Sequence, residues 1–224
     1  MEPRETGYRG IHLIYAYQSE SKPDCNGLKI EIQLRSRQQH AWATAVEIVD
    51  TFTAQGIKDG NGDPKWQRFF ALMGTFIAEK ENLNPVPNTP TNTNELRSEI
   101  ASLTKELTLL EHLDSYRATL HLDKNSIPNA EFYLLQLDAE NGQSYITGFK
   151  KDQIAQAQET YLAMEKALLN QPKQDVVLVS VGSIESLKRA YPNYFADTEV
   201  FSGIVREAIK PFPAIDISDV DAGS

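Results

Sequence analysis

Polar residues alternate along one short stretch, positions 29 to 35, and they are of the types that bind phosphates. Successive side chains of a strand point to opposite sides, so this stretch predicts a strand with one polar and one apolar face. The polar face carries Lys29, Glu31, Gln33 and Arg35. A carboxylate between cations can hold a magnesium ion that phosphates also bind, and lysine and arginine can contact those phosphates directly. An edge strand with a solvated polar face would show the same alternation.

A second strand is predicted just upstream, where residues 8–17 read YRGIHLIYAY and are rich in aromatic and branched side chains. Turn-forming residues separate the two strands, so we expect an antiparallel hairpin with a long loop. The pairing adds Tyr8 and His12 to the polar face. A tyrosine at the start of a strand can stack on a nucleobase. Alternatively, Tyr8 caps the strand and His12 is a half-buried structural histidine.

Other signatures of catalysis are missing from the sequence. The four histidines, His12, His40, His112 and His121, show no spacing that favours a shared metal ion. There is no Walker loop, no dinucleotide-binding glycine fingerprint and no serine elbow. The single cysteine, Cys25, excludes an internal disulfide and a multi-thiolate metal site. The hairpin is therefore where we expect the chemistry.

Composition narrows the class of protein. The chain has 224 residues, of which 41% are hydrophobic, and a formal net charge of -9. This size suits one large domain or two small ones, and the negative charge argues against DNA as a partner, although a local basic pocket is compatible with it. No apolar run reaches the roughly 20 residues that span a bilayer. We expect a soluble protein of the reducing cytoplasm, with no membrane partner.

Two helices are predicted to support the hairpin, because the hydrophobic period changes from two to 3.6 after Arg35. The first should end near Gly56, and the second should begin with the cap Asp63 and with Pro64. A stretch rich in proline and asparagine then predicts a linker. From Asn94, apolar residues spaced by three and four predict one core-facing helix. They are Leu96, Ile100, Leu103, Leu107 and Leu110.

A small α+β module is predicted after about residue 130. EFYLLQLD and QSYITGFK flank AENG and indicate a second hairpin, followed by a helix over residues 152–169. The apolar run DVVLVSVG predicts a strand, and two more helices should follow it. The acidic tail from Pro211 is expected to be frayed.

Three segments in order, GYRGIHLIY, IEIQLR and QHAWATAVE, resemble the RelA/SpoT synthetase domain, the family that makes the alarmone (p)ppGpp. The family pattern is a glycine-tyrosine strand start with a histidine four residues after the tyrosine. A glutamate-x-glutamine-x-arginine strand and a tryptophan-bearing helix follow it. The likeness covers roughly residues 3–80. It implies a GTP diphosphokinase, which moves the β,γ-diphosphate of ATP to the 3′-hydroxyl of GDP or GTP.

The resemblance also implies roles for individual residues. Tyr8 would stack on the guanine of the acceptor, Arg4 would lie near the acceptor phosphates, and His12 would lie beside the acceptor site. Glu31 would contribute to a Mg²⁺ site and to catalysis together with His12. Lys29, Gln33 and Arg35 would bind substrate or support the strand.

In the family, a basic segment that binds ATP and a first acidic metal ligand lie upstream of the glycine-tyrosine motif. The seven residues before Tyr8 cannot contain them. We therefore expect the C-terminal portion of such a synthetase, inactive alone, which associates with itself or with a missing N-terminal half. The alternative is a non-catalytic guanine-nucleotide-binding or regulatory protein.

The predicted fold class is α+β, a mixed sheet with flanking helices of the nucleotidyltransferase-like kind, followed by a helical connector and a small α+β module. The expected division is residues 1–82 for the synthetase-like part, 83–130 for the linker and connector, 131–210 for the module and 211–224 for the tail. A sheet without its upstream strands would leave an edge exposed.

Overall fold

The computed structural model describes residues 4–53, 56–57, 60–120, 127–138, 141, 143–168, 171, 174–190 and 192–210. Five strands form within them: β1 (Ile11–Ala16), β2 (Lys29–Leu34), β3 (Phe132–Asp138), β4 (Gln143–Phe149) and β5 (Gln174–Ser180). Seven α-helices also form: α1 (Arg37–Thr53), α2 (Pro64–Lys80), α3 (Thr93–Glu106), α4 (Leu109–Leu120), α5 (Ile154–Leu168), α6 (Val181–Ala190) and α7 (Tyr194–Ala208). The predicted α+β class is confirmed. The predicted tail from Pro211 lies outside the described residues.

The two helices that follow the hairpin form as predicted. Asp63 caps α2, since its carboxylate accepts a hydrogen bond from the backbone N–H of Lys65 at 2.7 Å. The indole Nε1 of Trp42 on α1 donates to the carbonyl oxygen of Phe70 on α2 at 2.9 Å, which ties the two helices together. Their buried faces supply a large part of the hydrophobic core.

Two glycines fix the chain segment before β1 against α2. Gly7 has a φ of +90°, which side chains rarely tolerate, and a Cβ atom on Gly7 would lie 3.0 Å from the carbonyl oxygen of Phe70. A Cβ atom on Gly74 would lie 2.9 Å from the Cα atom of Gly7. Because both glycines lack side chains, the backbone at Gly7 lies directly on α2 and places Tyr8 beside Trp42.

The single helix predicted from Asn94 is wrong, because the chain forms two helices there. Thr108 has a φ of +42°, and the helix ends just before it, where the N–H of Leu107 bonds the carbonyl oxygen of Leu103. Leu109 then begins α4. Apolar spacing continues across the break, and no glycine or proline marks it, so the sequence pattern did not reveal it.

Both sheets are antiparallel throughout the described residues, where a mixed sheet was predicted. The β1 and β2 strands form the predicted hairpin, in which Leu13 faces Ile32 and His12 faces Gln33. The second sheet has the order β4-β3-β5. Helix α5 connects β4 to β5, and β5 returns antiparallel to β3.

One face of the first hairpin is apolar and exposed. Its side chains are 37% to 55% exposed, and they are Ile11, Leu13, Tyr15, Ile30, Ile32 and Leu34. A two-stranded hairpin is marginally stable by itself in water and normally packs against further strands or a helix. The described residues therefore leave this face largely uncovered.

The main core joins the first two helices to the second sheet and to the last helix. Phe201 on α7 is fully buried, with its ring centroid 6.0 Å from that of Phe70 and 6.4 Å from that of Phe69. Leu135 on β3 and Val177 on β5 belong to the same cluster. The division into a synthetase-like part, a connector and a module stays a prediction. None of the helices in the described ranges is long and apolar enough to cross a membrane.

Candidate functional site

Five of the side chains singled out from the sequence lie together at the open end of the first hairpin. They are Tyr8, His12, Glu31, Gln33 and Arg35, called the polar ring below. The antiparallel register explains the arrangement, because His12 lies opposite Gln33 and their side chains share one face with that of Glu31. Tyr8 and Arg35 flank the strands, one before β1 and one after β2.

One arm of the polar ring runs through the tyrosine and the histidine. Arg35 donates from Nη2 to the Tyr8 hydroxyl oxygen at 2.6 Å. The Tyr8 hydroxyl lies 2.7 Å from Nε2 of His12, and Nδ1 of His12 bonds a carboxylate oxygen of Glu31. A neutral His12 that carries its proton on Nδ1 satisfies all three bonds in one direction.

The other arm runs through the glutamine. Arg35 donates from Nη2 to Oε1 of Gln33 at 2.7 Å, and Nε2 of Gln33 donates to Oε2 of Glu31 at 3.1 Å. Both arms therefore begin at the Arg35 cation and end at the Glu31 carboxylate. The order of donors and acceptors fixes each side chain by two partners, which is the rigidity expected of a pre-organised site.

The polar ring keeps Glu31 ionised. The hydrogen bond from His12 lowers the pKa of the Glu31 carboxyl, and the hydrogen bond from Gln33 and the charge of Arg35 act in the same direction. An ionised Glu31 accepts the hydrogen bond from Nδ1 of His12 and so favours the proton on that nitrogen. The other nitrogen, Nε2, is then left as the basic position, and in the present structure it accepts from Tyr8.

Gly10 leaves the space that the polar ring needs. A Cβ atom at this position would lie 3.2 Å from the Tyr8 hydroxyl and 3.4 Å from both Nε2 of His12 and Nε of Arg35. The distance to the Tyr8 hydroxyl is tighter than an ordinary packing contact, and the other two lie at the limit of ordinary contact. A side chain at position 10 would press against the Arg35–Tyr8–His12 arm.

Tyr8 is surrounded by flat groups. Its ring lies edge-on to the buried Trp42, with 6.4 Å between the ring centroids. The guanidinium of Arg35 lies 4.9 Å from the Tyr8 ring centroid and that of Arg4 lies 5.3 Å from it. Arg4 is exposed, so it is the group that a flat ligand can displace from Tyr8.

Two cavities open on either side of this tyrosine. The larger, about 900 Å³, reaches toward α1 and α2 and is called the helical cavity; Trp42, Val46 and Phe70 are among its lining residues. The smaller, about 610 Å³, lies between the hairpin and the end of α2 and is called the basic cavity. Arg4, Tyr8 and Arg35 line both cavities.

Lys29 and Arg4 lie outside the polar ring. Lys29 is exposed on the same face of β2 as Glu31, at the far end of the hairpin opposite Ala16. Arg4 contacts the polar ring only through the face of Tyr8. The structure thus places five of the seven predicted site residues in one hydrogen-bonded set, with Arg4 beside it and Lys29 apart.

Sequence reasoning missed a group of residues behind the polar ring. The backbone carbonyl of Asn84 accepts a hydrogen bond from Arg9. The carboxylate of Glu81 accepts from the Ser36 hydroxyl and, at 2.6 Å, from Nε2 of Gln39. Arg9 directly follows Tyr8, but the strand pattern gave no reason to single it out.

The ring suits a magnesium ion only in part. Its one carboxylate, Glu31, already accepts hydrogen bonds on both oxygens. No group of three or more aspartate, glutamate, histidine or cysteine side chains is positioned to hold a metal ion in the part of the chain that the structure describes. Mg²⁺ in phosphate-binding sites commonly takes one or two carboxylates and fills its remaining positions with phosphates and water. Glu31 therefore fits a magnesium ion that a ligand's phosphates would also coordinate.

A scan against protein-family models finds no match for the chain, and a search of curated proteins finds none with a significant match.

Proposed function

We propose that the polar ring is the acceptor site of a RelA/SpoT-like diphosphokinase of nucleotidyltransferase-like fold, which binds GDP or GTP. The observation that carries the proposal is the two-armed connection of Arg35 to Glu31 through Tyr8, His12 and Gln33. Two of the three sequence segments that resemble the family supply all five residues of this ring, and the third supplies Trp42, which packs against Tyr8. Tyr8 offers the flat face for the guanine, as the resemblance implies.

The proposed reaction transfers the β,γ-diphosphate of ATP to the 3′-hydroxyl of the bound guanine nucleotide. A bond forms between the 3′-oxygen and the β-phosphorus, the bond from that phosphorus to the α-phosphate oxygen breaks, and AMP leaves. The 3′-hydroxyl must lose its proton. His12 can accept it on Nε2 once a substrate hydroxyl replaces Tyr8 as its donor, and the charged Glu31 stabilises the imidazolium that forms.

A magnesium ion would supply charge neutralisation of the diphosphate, with Glu31 as its protein ligand. The chain's own contributions are the orientation of His12 by Glu31 and the cations Arg35 and Arg4 beside the base.

The test of the acceptor site is calorimetric titration of GDP and GTP into the chain, with and without Mg²⁺. We expect saturable binding that Tyr8→Ala abolishes and that Tyr145→Ala leaves unchanged, since Tyr145 is an exposed tyrosine on β4. Wild-type protein that binds neither nucleotide would contradict the proposal.

A second candidate function is guanine-nucleotide binding without catalysis. It is favoured by the presence of a single carboxylate in the polar ring. Incubation with ATP and GTP tests catalysis by the chain: formation of AMP and (p)ppGpp would support the synthetase and overturn the expectation that the chain is inactive alone. Saturable binding with no AMP is expected both of an inactive portion of a synthetase and of a binding protein.

A further inference from the structure

The basic cavity has a charge pattern of its own. Three arginines and a histidine line it: Arg4, Arg9, Arg35 and His12. Within the described ranges no aspartate or glutamate is among its lining residues. In a chain of formal net charge -9, a concave surface with only cationic charges marks a local site for an anion.

Two of these arginines keep unused donors. The Nε atoms of Arg9 and Arg35 are buried and have no hydrogen-bond partner among the described residues. A buried guanidinium N–H without an acceptor costs free energy, and natural structures rarely leave one unsatisfied unless a ligand or water completes it. An oxyanion in the cavity would supply an acceptor to a guanidinium that turns its Nε toward it.

Glu81, the carboxylate whose charge acts on Arg9, is hydrogen-bonded to other partners. Glu81 accepts from Ser36 and Gln39, and it does not line the cavity. Burial lowers the pKa of Arg9, and the charge of Glu81 offsets this only in part. Arg9 stays charged, because a guanidinium does not lose its proton in proteins, and its charge is therefore not fully compensated by the chain.

We propose that the basic cavity binds a phosphate or diphosphate group and that Arg9 is its principal ligand. Arginine suits this task because its planar fork meets two oxygens of a phosphate at once. The assignment of this group to the 5′-phosphates of the guanine nucleotide rests on the proposed function, because Tyr8 forms a wall of the cavity and would hold the base next to it. The binding of the anion itself does not depend on that function.

The test uses inorganic pyrophosphate as the probe in calorimetric titrations. We expect Arg9→Gln to weaken pyrophosphate binding about tenfold or more, the loss expected for a hydrogen bond to a charged group. The matched control is Arg37→Gln, which removes an exposed arginine at the start of α1 that lines neither cavity. Its effect should be less than twofold.

A loss of affinity in Arg9→Gln could also result from misfolding, so a second variant is chosen that should gain affinity. Glu81→Gln keeps the shape of the side chain and removes the negative charge that partly offsets Arg9. It should tighten pyrophosphate binding several-fold, a result that damage to the fold cannot produce. Wild-type protein that does not bind pyrophosphate, or equal losses in Arg9→Gln and Arg37→Gln, would overturn the proposal.

Guanosine and GDP, titrated in parallel, separate this proposal from the proposed function. If pyrophosphate binds through Arg9 while guanosine and GDP do not bind, the anion site stands and the guanine-nucleotide function fails. If GDP binds and Arg9→Gln leaves its affinity unchanged, the acceptor site stands and the assignment of the basic cavity to the 5′-phosphates fails. If both are right, GDP binds more tightly than guanosine, and Arg9→Gln removes most of that difference.

Discussion

Outside the polar ring, the buried His112 is held in its charged form by its hydrogen-bond partners. It is 8% exposed, and its Nε2 lies 2.8 Å from Oδ2 of Asp175 while its Nδ1 lies 2.9 Å from the carbonyl oxygen of Thr108. Two acceptors on two ring nitrogens call for a doubly protonated imidazolium. Burial by itself favours the neutral ring, but the hydrogen bond and charge of Asp175 and the backbone carbonyls outweigh it, so the pKa of His112 is raised.

This raised pKa predicts that the protein loses stability as the pH rises above the ordinary histidine range. A group with a higher pKa in the folded state stabilises fully below its unfolded pKa of about 6.5 and loses that contribution as the pH passes its folded pKa. Tyr116, the other titratable group packed on the ring, stays neutral here because burial raises its pKa. Denaturant unfolding from about pH 6 to pH 9 should therefore show a declining free energy of unfolding.

Asp175→Asn should remove about 1 to 3 kcal/mol at the acid end of this range and flatten the decline. The control is Asp114→Asn. Asp114 lies on α4, as His112 does, but its carboxylate pairs with Arg117, so this variant should keep the decline. A wild-type stability that increases over this range would contradict the assignment of a charged His112.

At the scale of elements, the contact between the segment before β1 and α2 depends on the absence of a side chain at Gly74. Replacing a helical glycine by alanine normally stabilises a protein by up to about 1 kcal/mol. At Gly74 we expect the opposite, a loss of about 1 to 3 kcal/mol, because the new Cβ atom would press into the backbone of Gly7. Gly74→Ala should also weaken the proposed binding of GDP, since Gly7 positions Tyr8.

Gly203 provides the matched control for this substitution. It lies within α7, and a Cβ atom there would meet nothing within 4 Å. Gly203→Ala should therefore raise the free energy of unfolding by about 0.5 to 1 kcal/mol. Denaturant titrations of both variants measure the contrast, and a stabilising Gly74→Ala would show that the segment before β1 does not lie on α2.

The apolar face of the first hairpin predicts binding of hydrophobic probes. Leu13 and Ile32 face each other across the strands and are 37% and 44% exposed. We expect the wild-type protein to enhance the fluorescence of anilinonaphthalene sulfonate, and the double substitution Leu13→Thr with Ile32→Thr to remove most of it, because threonine keeps strand propensity but adds a hydroxyl. The thermal unfolding midpoint should hardly change, whereas a large drop would mean that this face is covered in solution.

The sequence predicted the elements better than their assembly. The hairpin, the start of α2 at Asp63 and Pro64, and the second hairpin followed from alternation, capping and turn residues, all of which are local. The break at Thr108 and the antiparallel return of β5 were missed, since both depend on packing between distant segments. The strand pattern brought His12, Glu31 and Gln33 to one face, but it could not reveal Arg9, whose role depends on the turn after α2.

At the scale of the whole molecule, the last helix packs into the core of the first two. Phe201→Ala should cost about 3 to 5 kcal/mol, since it removes a fully buried ring that packs against Phe69 and Phe70. Because the core cluster also includes residues of β3 and β5, we expect one cooperative transition. The unfolding transition measured by the fluorescence of Trp42 on α1 and Trp66 on α2 should then coincide with the transition measured by far-ultraviolet circular dichroism.

Leu162→Ala is the control for this prediction, because Leu162 on α5 is 60% exposed and its loss should change stability little. Two separate transitions would show instead that residues 131–210 unfold as a module of their own, as the sequence division predicts.

The position of Tyr8 and Arg35 between the two cavities has a thermodynamic consequence. A ligand in the helical cavity that moves either side chain alters the shape of the basic cavity, and the reverse holds for a ligand in the basic cavity. Binding at the two positions would then be coupled, and linkage requires that each ligand change the affinity of the other by the same factor. Two side chains shared by both cavities would thus suffice for positive or negative cooperativity between two ligands, without any movement of the helices.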